Sequence, residues 1–393
     1  QVAKWTNDAW ACAADTDTDT DTDTVGALSC SSAEVAKWNG SAWACAADTD
    51  TDTVGDLSCA NDQVALFDGA GWNCKTAVTI RSVRSVHNTA VEIPGAVGSY
   101  SSVAIGNDGN PVISHYDSMN GDLELYVCAN AACSTGTNTL LESTGDVGQH
   151  TSVAIGDDGN PVISHYDSTN EDLELYVCAN AACSTGTNVE LETIGPAVVA
   201  NSSVAIGDDG NPVIAYQDGE NLDLELYACA NATCSSGTNV ELVTSGSSVP
   251  GLGYYPSVAI GDDGNPVIAH TDATRFDLDL YVCGDAACST GTNVELETGD
   301  GFSGNTPSVA IGDDGNPVIA YTTVLGSDEL GLYVCGDAAC SSGTNVELVT
   351  DNVGQYASVA IGDDGNPVIA YHDTSDRDLD LYVCANAACS SGT

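Results

Sequence analysis

The string SVAIG(D/N)DGNPVI occurs six times in this chain, with its first Val at Val103, Val153, Val204, Val258, Val309 and Val359. The steps are 50, 51, 54, 51 and 50 residues, so one supersecondary unit is copied six times and the fold must stack or circularise the copies. A copy reads as four short strands, at 102–106, 111–116, 122–128 and 138–142 in the first. The third alternates cleanly, with Leu123, Leu125 and Val127 on one face and Glu124, Tyr126 and Cys128 on the other. Asp-Gly between the first two strands is the turn chemistry of a tight hairpin. Four antiparallel strands repeated roughly every 50 residues match a β-propeller blade. The expected fold is therefore all-β, a six-bladed propeller over 87–393, with an open β-solenoid or sandwich array as the alternative.

The ends of the array sharpen this reading. The sixth copy stops at Ser391-Gly392-Thr393, ahead of its fourth strand. The segment from Asn88 to Ile93, followed by PGAVGSYSSVAIG, aligns with Asn345 to Thr350, followed by DNVGQYASVAIG. This N-terminal strand is expected to complete the last blade and close the ring, which removes two unpaired sheet ends.

Residues 1–86 follow another pattern. Three modules read VAKWTNDAWAC, VAKWNGSAWAC and VALFDGAGWNC, and the second and third are each preceded by Leu-Ser-Cys. Asn39-Gly40 and Asp68-Gly69 are two-residue hairpin signals. With Asn39-Gly40 as the turn, Trp43 is expected opposite Ala36 and diagonal to Trp38. Hairpins this small need staples, and the expected ones are Cys30–Cys45 and Cys59–Cys74, leaving Cys12 over. Asp-Thr runs separate the modules, one carrying Asp15, Asp17 and Asp19 and the other Asp48, Asp50 and Asp52. Alone such runs are solvated linkers. A partner surface or bound Ca²⁺, which takes oxygen ligands, would order them, and Ca²⁺ is the one cofactor expected.

Charge excludes some partners. With 57 Asp+Glu against 7 Lys+Arg the net charge is −50, so nucleic acid and anionic membranes lack the basic footprint they require. No run approaches the roughly 20 apolar residues of a membrane span. Lys4, Lys37, Lys75, Arg81 and Arg84 all precede residue 88, where 13 acids leave a net −8 and assign −42 to the propeller. The stretch KTAVTIRSVRSV from Lys75 is the only locally basic, β-prone one, either an ordinary connector or a strand that docks on an acidic head. The 17 Cys at regular spacings, with almost no metal-type His clustering, read as a disulfide framework made in an oxidising compartment. Each blade is expected to hold a local bridge: Cys128–Cys133, Cys178–Cys183, Cys229–Cys234, Cys283–Cys288, Cys335–Cys340 and Cys384–Cys389.

Catalytic signals are weak. His115, His165, His270 and His372 lie at the end of second strands, where acid–base work is one reading and a polar strand end the other. Copies with Tyr216-Gln217-Asp218 or Tyr321-Thr322-Thr323 occupy the same places. Gly-Asp-Asp-Gly-Asn-Pro reads as a hairpin turn or, less well, a metal loop. Asn39, Asn201 and Asn231 open glycosylation sequons. The strand 2–3 turns and the blade connections vary among copies, so a ligand or glycan site is expected on that rim.

Residues 88–393 resemble the repeat-built propellers of secreted bacterial proteins, and the LSC…VAKWNGSAWAC modules resemble tandem units of bacterial surface stalks and fibres. The resemblance implies an extracellular, non-enzymatic filament subunit whose stalk docks on the next propeller. Trp5, Trp10, Trp38, Trp43 and Trp72 would bury area at the joint, and Lys75, Arg81 and Arg84 would face the acidic head. The alternative is a propeller lectin or adhesin binding a glycan on the variable rim.

Overall fold

The computed structural model describes residues 97–393, apart from 196–200, 245–250, 252, 276, 298–302, 324–328, 351–352 and 376, and the backbone of six strands ahead of them. The chain divides into two compact units, Gln1–Asn88 and Thr89–Thr393. Among the described residues there is no helix.

The second unit is a six-bladed β-propeller. Five blades are four-stranded antiparallel sheets whose strands follow one another in chain order, and the sixth has three described strands and an isolated bridge between Cys384 and Gly392. In blade 1 the strands are Ser99–Ile105, Pro111–Asp117, Asp122–Cys128 and Gly136–Glu142. The expected closing strand from Asn88 to Ile93 lies outside the described residues. Successive first strands lie side by side around the axis. A seryl hydroxyl of one first strand accepts the Val N–H of the next: Ser102 from Val153 at 3.2 Å, then Ser152 from Val204, Ser203 from Val258, Ser257 from Val309 and Ser308 from Val359, each at 3.1 Å.

Each core cluster lies between two blades rather than within one. Leu123, Leu125 and Val112 of blade 1 pack against Val153, Ile163 and Tyr176 of blade 2 and its Cys178–Cys183 bridge. The same arrangement recurs along the array. The period-2 alternation of the third strand puts both leucines on one face, and burying each stabilises by about 1.5–3 kcal/mol. Blades therefore depend on their neighbours. All six expected blade bridges form, closing turns in which the second Cys has positive φ. They place folding in an oxidising compartment. The loop joining the first two strands is longer than a two-residue turn: Ile105 pairs with Pro111, Gly106 N–H donates to Asn110 O, and Gly109 turns the chain at φ 78°. Asp108 Oδ1 accepts the Asn110 N–H, which stabilises the wider loop.

In the first unit the strands pair as three hairpins: Val2–Thr6 with Ala9–Ala13, Glu34–Trp38 with Trp43–Ala47, and Gln63–Phe67 with Trp72–Thr76. The register differs from the expected one. Trp43 stands opposite Trp38, and Ala36 opposite Cys45, because the connection between the strands takes in residues beyond Asn39-Gly40.

Candidate functional site

The axial mouth of the propeller is formed by one position per blade, three residues before the repeat's first Val: Tyr100, His150, Asn201, Tyr255, Thr306 and Tyr356. With Ser101, Ser202, Pro256, Pro307 and Ala357 they line a cavity of about 550 Å³. Five of the six, all but Asn201, have φ between 46° and 54°. A bulky side chain in the left-handed region costs about 1–3 kcal/mol. The cause is a β-bulge: the ladder between the first and second strands slips at Ser99/Ser102, Gln149/Ser152, Tyr254/Ser257, Asn305/Ser308 and Gln355/Ser358. Bulges re-aim side chains next to functional sites, and here they set one variable residue per blade around the axis while the string that follows stays constant.

The lining contains no carboxylate and no Lys or Arg. Burial holds the His150 imidazole below its ordinary range, against the smaller opposing effect of its hydrogen bond with Asn201, so the histidine is neutral at neutral pH. Burial likewise raises the Tyr255 phenol, helped by the nearby Tyr356 and Tyr254. The Tyr100 and His150 rings pack with centroids 4.0 Å apart. Asn201 Nδ2 and Thr306 Oγ1 are buried without a hydrogen-bond partner. Buried polar groups are nearly always satisfied, so these two atoms are available to a polar group that enters the mouth. The site offers aromatic faces and neutral hydrogen-bonding groups together.

The sequence-selected histidines sit elsewhere. His115, His165 and His270 are buried within their blades and face Asn138, Asn188 and Asn293 at 3.3, 3.1 and 2.9 Å. The same asparagines donate Nδ2 to Glu124, Glu174 and Asp279. In blades 3 and 5 Tyr216 and Tyr321 take the histidine's place, donating to Asn239 and Asn345. Burial pushes Glu174 up to about 7 and Asp279 up to about 6, and holds His165 down at about 4. A network present in most blades, with Tyr and His interchangeable, is blade architecture. His372 falls one position further along.

Other expected residues lie outside the described part. These are the Asp-Thr runs with Asp15, Asp17, Asp19, Asp48, Asp50 and Asp52, together with Arg81, Arg84, Cys30 and Cys59. Trp5, Trp10, Trp38, Trp43, Trp72, Lys75, Cys12, Cys45 and Cys74 lie in strands whose side chains are likewise outside it. Among the described residues no group of three or more His, Cys, Asp or Glu is arranged to hold a metal ion, and no helix is long and apolar enough to cross a membrane. The expected rim is the one on which the axial mouth opens, but its aromatic residues come from the first strands rather than the turns. The signal was in the sequence: the residue three before each first Val changes from copy to copy.

No protein-family model matches the sequence, and no curated protein matches it. Solved structures do. A protein of unknown function from Dyadobacter fermentans superposes with a TM-score of 0.53 at 12% identity, over 74% of this chain and 95% of its own. The α-L-arabinofuranosidase Arb93A from Fusarium graminearum, as a mutant with an iminosugar inhibitor, superposes with a TM-score of 0.50 at 10% identity, over 73% and 91%. At these identities the likeness is one of fold. It corrects the expectation that the chain is no enzyme, because a fold shared with a glycosidase is an enzyme-associated one and weak sequence motifs do not set this chain apart from it.

Proposed function

We propose that the protein binds a neutral carbohydrate at the axial mouth of its propeller. The observation that carries this is the six-position ring, in which three tyrosines surround a cavity where Asn201 Nδ2 and Thr306 Oγ1 have no partner. Tyrosine faces cover the apolar faces of a sugar ring, and amide and hydroxyl groups take up its hydroxyls. An acidic sugar is disfavoured, since no cation lines the cavity and the chain carries −50. The Fusarium arabinofuranosidase, a sugar-processing enzyme on this fold, adds support by analogy. A filament built through the stalk has no described side chain to support it.

A glycan array followed by calorimetric titration tests the proposal. Tyr356→Ala, at a residue 70% exposed, should weaken binding about tenfold or more, a loss of ~1.4 kcal/mol, and leave the melting temperature unchanged. Asn201→Ala should weaken it similarly by removing a buried donor. Retention of no neutral glycan, or equal binding by wild type and both variants, would overturn the assignment.

A further inference from the structure

Blades 1 and 6 each carry half of an interface that the fold forms five times elsewhere. At every interior junction the third-strand leucines of one blade, such as Leu123 and Leu125, are fully buried beneath the first-strand Val of the next. At the ends of the array the same positions are open. Leu379 is 81% and Leu381 58% exposed on blade 6, with Val383 beside them, and Val103 is 62% and Ile105 59% exposed on blade 1. Ser358 is exposed too. Among the described residues no bond joins it to Val103, whereas the five equivalent serines each hold a Val N–H.

We infer that the leucine face of blade 6 seats on the valine face of blade 1 of a second copy of this chain. Five interior junctions show what covers such a leucine face: the first-strand Val and second-strand Ile of a nearly identical repeat. Each chain presents one face of each kind. The junction side chains are almost the same throughout, and the exposure of both end faces shows that they do not cover each other. A contact between different faces is heterologous, leaves one of each free and propagates until it closes or runs on as a filament. Clustered exposed apolar residues mark such surfaces. These five residues carry no charge on a unit of net −42, so the seam is where two copies approach with least repulsion, and added salt favours the contact. This inference is independent of the carbohydrate site.

Sedimentation of the full chain over a concentration series, at low and high salt, tests it. Wild type should associate with rising concentration, more so at high salt, and Leu381→Asp or Val103→Asp alone should stay monomeric. An equimolar mixture of the two variants should yield dimers only, since each retains the face the other lacks. Unchanged melting temperatures would show that the variants fold. A photocrosslinker at position 379, in a mixture of light and heavy-isotope chains, should give light–heavy products that include residue 103. Wild type monomeric throughout, or crosslinks confined to one chain, whether to residue 103 or to 88–93, would overturn the inference.

Discussion

Asn188 holds two neighbours at once, accepting from His165 through Oδ1 and donating Nδ2 to Glu174 at 2.8 Å. Because burial has pushed that carboxyl up to about 7, Glu174 is protonated in the folded protein at mildly acidic pH, whereas the unfolded chain has already ionised it. A raised folded-state pKa contributes stability that is complete below the unfolded value near 4.5 and is lost as pH rises through about 7. Glu174→Gln mimics the protonated acid and keeps an acceptor for Asn188. The variant should melt like wild type near pH 4.5 and gain on it up to pH 8, by on the order of 2 kcal/mol. Melting curves across that range check it, and a difference independent of pH would mean that Glu174 is ionised when folded. His165, held at about 4 by burial, has the opposite slope, losing its contribution as pH falls from 6.5 towards 4, but it is present in both proteins and cancels. Its position at a strand end was legible in the sequence. Its burial was not, since only the folded blade brings Asn188 and Glu174 to it.

The fourth strands begin where a glycine passes under a tyrosine ring. A Cβ on Gly186 would lie 2.3 Å from Tyr176 Cε1 and 2.6 Å from Val177 O, and Gly136, Gly237, Gly291, Gly343 and Gly392 stand in the same way. The ring belongs to the core between blades 1 and 2 and the carbonyl to the ladder, so neither can retreat. Gly186→Ala should destabilise by about 2 kcal/mol or more, seen as faster hydrogen exchange in Asp172–Cys178 and Gly186–Thr193, and a neutral result would show that the tyrosine can swing out. The sequence places the fourth strand from Asn138, two residues late, because hydrophobic alternation starts there while the glycine's reason lies across the ladder. Second and third strands were legible from Pro111 and from Asp122 to Cys128, where alternation and turn residues coincide. The first strand starts earlier than expected, at Ser99. Its extra length contains the bulge that turns Tyr100 to the axis, and a bulge is a property of two paired strands that one strand's pattern does not carry.

Near-identical repeats make the propeller a nearest-neighbour array, in which a blade is held by the interfaces on its two sides. Blades 2 to 5 have two such interfaces, whereas blades 1 and 6 have one each, and blade 6 has only three described strands. The repeats announce six blades, but they cannot announce whether the first meets the last, because Leu379 and Leu123 hold the same position of the repeat with opposite exposures. Local stability therefore follows position in the array rather than sequence. In dilute protein, amide protection should rise from blade 1 to a plateau over blades 2 to 5 and fall again in blade 6, with exchange in Asp378–Val383 faster than in the matching Asp172–Cys178 by about tenfold or more, the effect of ~1.4 kcal/mol of lost packing. Raising the concentration should slow exchange in Asp378–Val383 and Ser99–Ile105 and leave the interior unchanged. Equal protection in all six blades at the lowest concentration would mean that the two end faces meet within one molecule, and the propeller would then be a closed ring whose only open surface of interest is its axial mouth.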